Sequence, residues 1–220
     1  HKTVESVVNR IKAGETIALI SDAGTPGISD PGEELVKMAY EAGIEVTSLP
    51  GACACVTALT LSGLSTRRFF FEAFLPPDKK EHKLALERLK NETRTMIVYE
   101  APHHLLKTLR ELLETLGNRR LTLCRELTKK HETAWQTTIE DAITRYEQED
   151  PKGECVLVIE GRSQKEIEDE AKAAFEEISI EEHMKRYEDQ GIARKEAMKL
   201  VAKDRGVTKR DIYQYLLGKE

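Results

Sequence analysis

The stretch Ile17-Ala18-Leu19-Ile20-Ser21-Asp22-Ala23-Gly24-Thr25-Pro26-Gly27-Ile28-Ser29-Asp30-Pro31-Gly32 decides the fold. It opens as a short apolar run, the pattern of a buried strand. It then breaks into small residues, two Asp, two Pro and three Gly. From Glu33 to Tyr40 the spacing is helical, with Leu35, Val36 and Ala39 on one side and Glu33, Glu34 and Lys37 on the other. Strand, glycine-rich loop, helix is how an open α/β sheet builds a ligand crevice at the carboxyl ends of its strands. The glycines let backbone approach a ligand, and the prolines reduce the entropy lost when the loop closes on one. Asp22 stands where it can accept from an amine or a ribose hydroxyl, and Asp30-Pro31 reads as N-cap and first helical residue. An ordinary connection needs only roughly two to six residues. The loop matches neither the dinucleotide GxGxxG nor the phosphate-binding GxxxxGK[ST] pattern.

Outward from this loop, strand and helix patterns alternate through residue 160 and predict an α/β fold. Residues 3–13 read as a helix, 16–20 as the strand feeding the loop, 31–42 as a helix and 44–49 as a second strand. Pro50-Gly51 leads into Ala52-Cys53-Ala54-Cys55, a helix start rich in small residues. Such a start either packs tightly on a sheet or offers its free N–H groups to a ligand. Strands are expected at 68–74, 95–99, 119–125 and 153–160, with a short extended piece at 135–139. Helices are expected at 79–90, 102–116 and 141–148. After Gly161 the composition shifts to an acidic helix or linker and then to three short helices, 180–190, 193–204 and 208–217. The last two have helix-turn-helix spacing and carry a basic cluster that includes Arg194, Lys195, Lys199 and Lys203. Such a cluster is either a solvated face or a phosphate contact. The expected organisation is residues 1–65, 66–162 and 163–220.

A chain of 220 residues can bury a substantial core. Its net charge of −5 argues against a uniformly basic nucleic-acid binder and leaves room for a local patch. The four cysteines have no zinc spacing and read as small apolar residues of a reduced, cytoplasmic protein. No apolar run approaches the roughly 20 residues that span a bilayer.

The opening loop, followed by Leu49-Pro50-Gly51-Ala52-Cys53-Ala54, resembles the tetrapyrrole methylase superfamily. Phe74-Leu75-Pro76, Tyr99-Glu100-Ala101-Pro102-His103, Arg125-Glu126-Leu127-Thr128-Lys129-Lys130-His131-Glu132 and Gly153-Glu154 match in the same order. Within that superfamily the similarity is greatest to the branch that methylates a ribose 2′-hydroxyl of a cytidine in bacterial small-subunit (16S) ribosomal RNA. The resemblance implies a two-domain class III methyltransferase with a small C-terminal helical extension. It implies S-adenosylmethionine as cofactor, ribosomal RNA or the 30S subunit as partner, and a cytoplasmic homodimer. It also implies a glycine-rich strand-turn segment and further sheet elements ahead of His1, so the sequence is expected to lack the amino-terminal part of its first domain. Family members carry Gly where Ala73 stands and Asp where Arg67 stands.

By the same resemblance, cofactor contacts come from Ile20, Ser21, Asp22, Ala23, Gly24 and Thr25, from Cys53 and Ala54, and from backbone near Glu100 and Leu127. Methyl transfer to a hydroxyl needs donor and acceptor in line and a group to remove the proton. Glu126 and His131 are the first candidates for that base, with Glu100 and His103 behind them. Lys129 or Arg125 is suited to stabilise a developing alkoxide or grip a phosphate. An ion pair of Glu126 with its basic neighbours is the plain alternative. Two other functions share this sequence pattern: a precorrin or siroheme methylase, and a non-catalytic RNA- or ribosome-binding protein on the same fold.

Overall fold

The computed structural model describes residues 2–217. The chain forms two compact units, His1–Gly161 and Arg162–Glu220. No helix among the described residues is long and apolar enough to cross a membrane.

The first unit begins with α1 (Lys2–Lys12), α2 (Glu33–Glu41) and α3 (Ala54–Leu61). A five-stranded sheet follows, built from β1 (Phe69–Phe74), β2 (Thr95–Glu100), β3 (Arg120–Arg125), β4 (Thr133–Thr138) and β5 (Cys155–Ile159). Its helices are α4 (Lys79–Asn91), α5 (Leu105–Leu116) and α6 (Ile139–Tyr146), with a single 3-10 turn at Pro102–His104 leading into α5. The strand order is β1-β2-β5-β3-β4. β1 and β2 are parallel, while β5 runs antiparallel to both β2 and β3. Hence β1, β2 and β3 point the same way, and their carboxyl ends share one edge. Along that edge the register aligns Glu100, Cys155, Arg125 and Thr133.

The residues explain the two faces. In β2 and β5 successive apolar side chains point to opposite sides, and both sides are covered. Met96, Val98, Leu157 and Ile159 pack against Leu105, Leu109, Leu112 and Leu116, a single leucine stripe along α5. Each fully buried leucine contributes about 1.5–3 kcal/mol. Ile97, Cys124, Val156 and Val158 face the other way, onto Cys55, Ala58 and Leu59 of α3. The small residues of α3 therefore let that helix sit close on the sheet.

Three expectations need correction. Residues 16–20 and 44–49 are not strands: neither segment is laddered to another among the described residues. An apolar run marks a chain suited to a sheet, but the ladder requires a neighbour for every N–H and C=O. Leu19, Ile20 and Leu49 accordingly remain 41 %, 84 % and 82 % exposed. The second correction is the cap: α2 starts at Glu33 behind Gly32, with no side-chain cap, rather than behind Asp30. Gly32 holds φ 147 and its carbonyl accepts from Val36 N, so the chain turns two residues later than the Asp-Pro pair suggests. Third, the extended piece expected at 135–139 is a full edge strand, β4, and α6 begins behind the Thr138 cap.

Ala73 is a local strain point. β1 is bulged, so that Phe71 pairs with Ile97 and Ala73 with Val98, leaving Glu72 over. Ala73 takes φ 60, a left-handed conformation that costs a residue with a Cβ roughly 1–2 kcal/mol. Glycine, which the family resemblance leads one to expect here, is free of that cost. Ala73→Gly is expected to stabilise the first unit by about 1 kcal/mol, read as a rise in Tm of roughly 2–4 °C.

The second unit comprises α7 (Gln164–Glu176), α8 (Ile180–Glu188), α9 (Arg194–Arg205) and α10 (Lys209–Leu217). α7 opens with a reciprocal Ser163–Glu166 capping box. Met184, Ala197, Val201, Ala202 and Ile212 form its core. Beside them His183 is buried, stacked on Phe175 at 4.2 Å and 12°. Arg205 Nε donates to His183 Nδ1 at 3.2 Å, and His183 Nε2 lies 3.3 Å from Asp204 Oδ2. Burial first, and Arg205 second, push the imidazole below its ordinary value of 6.5. The unfolded chain therefore binds this proton more readily than the folded one, and the stability His183 contributes is lost as pH falls below about 6.5. Amide exchange in α8 and α9 is expected to accelerate at pH 5 relative to pH 7, after correction for intrinsic rates; a His183→Phe variant should lose that difference.

Candidate cofactor cleft and active site

Four sequence-distant segments meet at one side of the sheet. The first is the loop after Ile20. Ser21 Oγ donates to the carbonyls of Ala23 and Gly24 at 3.2 and 3.0 Å and closes a tight turn. Gly24 has φ +82, and a Cβ there would stand 2.7 Å from the Ala52 carbonyl oxygen. Thr25 N donates to that same oxygen at 2.9 Å. A Cβ on Gly51 would in turn lie 2.9 Å from Thr25 Oγ1. Glycine is thus required at position 24, where the clash is with backbone, and the loop seats directly on the Gly51-Ala52 turn. Asp22 and Ala23 stay exposed at its tip.

The second segment is that turn and the start of α3. Cys53 is the N-cap residue, extended, with no side-chain cap hydrogen bond and no acid in the first turn. Its thiol lies 3.3 Å from that of Cys55. Burial, then the neighbouring Cys53, push the Cys55 thiol up to about 11. The Cys55 thiol is therefore inert at neutral pH.

The third and fourth segments are the ends of β2 and β3. Cys53, Tyr99 and Leu127 all pack on the apolar cluster beneath α3. Tyr99 is held edge-on by Phe71 and Phe74, with centroids 5.0 and 5.6 Å away. Burial raises its hydroxyl well above the ordinary phenol range. Glu100 projects to the opposite face and is buried. Its Oε1 accepts from Ala101 N at 2.7 Å and its Oε2 from Thr108 Oγ1 at 2.5 Å. Both carboxylate oxygens are therefore engaged, and the Oε2 bond ties β2 to α5.

The loop after β3 is stretched over the Gly153-Glu154 turn. Glu126 and Thr128 take φ 50 and φ 64, strained for side chains and, in Thr128, β-branched. Three backbone bonds hold the loop: Glu126 N to the Glu154 carbonyl at 3.3 Å, Lys129 N to the Glu126 carbonyl at 3.0 Å and Glu132 N to the Lys129 carbonyl at 3.1 Å. The Glu126 carboxylate accepts from Glu154 N at 3.2 Å and from Lys129 Nζ at 3.2 Å. Lys129 Nζ also reaches Glu154 Oε2 at 3.3 Å. Lys129 first holds the Glu126 carboxyl below its usual range, and Glu126 and Glu154 raise the Lys129 ammonium. Arg125 Nε is buried without a hydrogen-bond partner. His131 is exposed on the same loop, whereas exposed His103 sits against His104 at the foot of α5.

The structure thus brings Gly24, Thr25, Cys53 and Leu127 to one continuous surface. It sets the Glu100 carboxylate apart from that surface. Tyr99 and Glu154 escaped sequence reasoning as site residues. The alternation Ile97-Tyr99 within β2 carried the signal for Tyr99, because one strand face holds both; for Glu154 the signal was its place in the Gly153-Glu154 match, which gave no contact with Lys129.

The family model for Tetrapyrrole (Corrin/Porphyrin) Methylases matches residues 1–143. The chain belongs to this family. Among tetrapyrrole methylase relatives, Ribosomal RNA small subunit methyltransferase I of Synechocystis is 42 % identical over 100 % of this chain and 77 % of its own length. The protein of that name from Bacillus subtilis is 44 % identical over 94 % of this chain and 70 % of its own. Among solved structures, the methyltransferase CobJ superposes with a TM-score of 0.55 at 20 % identity, covering 72 % of this chain and 70 % of that one. Diphthine synthase superposes with a TM-score of 0.52 at 12 % identity, covering 73 % and 65 %. These likenesses show the fold of a tetrapyrrole methylase.

Proposed function

We propose that this chain transfers a methyl group from S-adenosylmethionine to the ribose 2′-hydroxyl of a cytidine in small-subunit ribosomal RNA. One observation carries the choice of acceptor. The similarity to the ribosomal RNA methyltransferases spans the entire chain, α7 to α10 included, whereas the family model ends at residue 143. The second unit is thus shared with enzymes named for RNA. The same reading expects a homodimer in the cytoplasm.

The residues present suit an organic, nucleoside-bearing cofactor. The Gly24 loop lies against the Ala52 backbone with no room for a Cβ, which keeps bulky side chains away from the tip formed by Asp22 and Ala23. Next to it the Cys53, Tyr99 and Leu127 cluster offers an apolar and aromatic wall. Ile20 to Thr25 and the Cys53-Ala54 turn would hold the cofactor, together with backbone near Glu100 and Leu127. When bound, S-adenosylmethionine supplies an activated methyl on a sulfonium centre.

The chain's own groups have three tasks: orienting the acceptor, countering its phosphate and accepting the hydroxyl proton. Lys129, cationic and fixed between Glu126 and Glu154, suits the second. His131 suits the third, because the Glu126 carboxylate is already committed to Lys129. Tritiated methyl transfer to unmethylated small subunits, followed by mapping of the modified ribose, tests the proposal. Label on a cytidine ribose is expected; transfer to a tetrapyrrole and none to RNA would reassign the acceptor.

A further inference from the structure

Charge is segregated within the second unit. From residue 166 to 189 there are ten acidic and three basic side chains, and from 194 to 210 seven basic and two acidic. α9 buries Ala197, Val201 and Ala202. Lys195, Lys199 and Lys203, four residues apart, therefore share its outward face, and all three are exposed. Like charges at this spacing repel and weaken a helix.

The helix starts add to the cost. Arg194 and Lys195 open α9, and Lys209 and Arg210 open α10, at the end where the helix dipole disfavours cations. The acids of those first turns are occupied. Glu196 accepts from Lys199 Nζ at 2.8 Å. Asp211 Oδ2 accepts from Thr208 N at 2.8 Å and from Thr208 Oγ1 at 2.6 Å, which caps α10. Lys199 first, with Lys209 and Lys195 adding, draws the Glu196 carboxyl below its ordinary range, so cations of both helices surround this one acid. On α10 Ile212 is fully buried while Tyr213 is 52 % exposed, three residues on from Arg210. A cation beside an open aromatic ring suits a phosphate beside an unpaired base.

We propose that the outward face of α9 and the first turn of α10 dock on the sugar-phosphate backbone of RNA that presents unpaired bases, as a contact separate from the methyl-transfer chemistry. This inference rests on RNA being the acceptor. Four cations placed against their helix dipoles and a row of three lysines cost the unit stability, and a polyanion offsets both.

The test is fluorescence anisotropy with a labelled RNA stem-loop and the intact chain, from 50 to 200 mM salt. A variant carrying Lys195→Glu, Lys199→Glu and Lys203→Glu is expected to bind at least tenfold more weakly. Its log–log salt dependence should be shallower by about 2, from roughly 0.7 per lost single-strand phosphate contact. The corresponding Lys→Gln variant should fall between, with a melting temperature no lower than that of the wild type, because neutralising the row relieves its repulsion. Methyl transfer by the Glu variant should show a raised KM for RNA and an unchanged kcat. Unaltered affinity and salt slope in the Glu variant would overturn the docking face while leaving the methyltransferase reading intact. Tighter binding to a duplex DNA of equal length would also overturn it. Wild-type protein that binds RNA with the expected slope yet transfers no methyl would sink the enzymatic reading and support the docking face.

Discussion

Replacing His131 by alanine is expected to lower kcat for methyl transfer by about 10²–10⁴-fold while leaving the Kd for S-adenosylmethionine within about twofold. A ribose hydroxyl is a weak acid, so its proton must pass to a positioned group as the methyl arrives. The loop after β3 offers three candidates. Glu126 is spent: its carboxylate pairs with Lys129 and accepts from Glu154 N, and its affinity for a proton is reduced. Lys129 is raised and stays an ammonium near neutrality. That leaves the exposed imidazole, a side chain type suited to proton exchange near neutral pH. Glu126→Gln should release Lys129 and loosen the strained loop, with a smaller loss in kcat that Glu126→Asp partly restores. Single-turnover kinetics separate the two variants. Near-wild-type turnover by His131→Ala together with a dead Glu126→Gln would exchange their roles.

The second large effect concerns stability. Gly161→Ala is expected to destabilise the first unit by about 3 kcal/mol, the upper part of the usual range for overpacking, lowering Tm by roughly 6–12 °C. A Cβ at this position would stand 2.3 Å from the Thr93 carbonyl carbon and oxygen and 2.4 Å from the Arg94 carbonyl oxygen. Those are backbone atoms directly ahead of β2, and they cannot rotate aside as a side chain would. Either β5 or the start of β2 must shift, and both are central strands. Gly43→Ala is the control, since a Cβ there meets nothing within 4 Å; its cost is confined to its φ of +70. A Gly161→Ala protein that melts no lower than Gly43→Ala would refute the clash.

Much of the fold was legible because local pattern and tertiary role agree. The runs Met96-Ile97-Val98-Tyr99 and Val156-Leu157-Val158-Ile159 are strands, and the leucine spacing of α5 is the stripe that covers them. The Thr208–Asp211 cap of α10 is visible in four letters of sequence. The strand order was not legible. Placing β5 between β2 and β3 is a long-range choice that no window of residues encodes. For the same reason residues 16–20 and 44–49 read as strands, since periodicity reports what a segment suits and not what lies beside it.

The site divides along the same line. The Glu126–Lys129 pair was visible as an i,i+3 spacing, but Glu154, which completes the clamp, is 25 residues beyond Lys129. The cofactor positions proposed above rest on family resemblance, because local chemistry left them open. The Ala73 departure from the family's glycine acquires its physical meaning only with the φ of 60 in hand.

Because β5 is the last strand made and the only bridge between β2 and β3 among the described residues, the edge shared by the ends of β2 and β3 is assembled late. A nascent chain that has emerged only as far as β4 holds the loop after β3 without its partner; the anchoring Gly153-Glu154 turn and the wedge that aligns the strand ends arrive together. Ordering of that loop and completion of the sheet are therefore one event, and a chain interrupted before residue 153 should be an unfolded target for proteolysis.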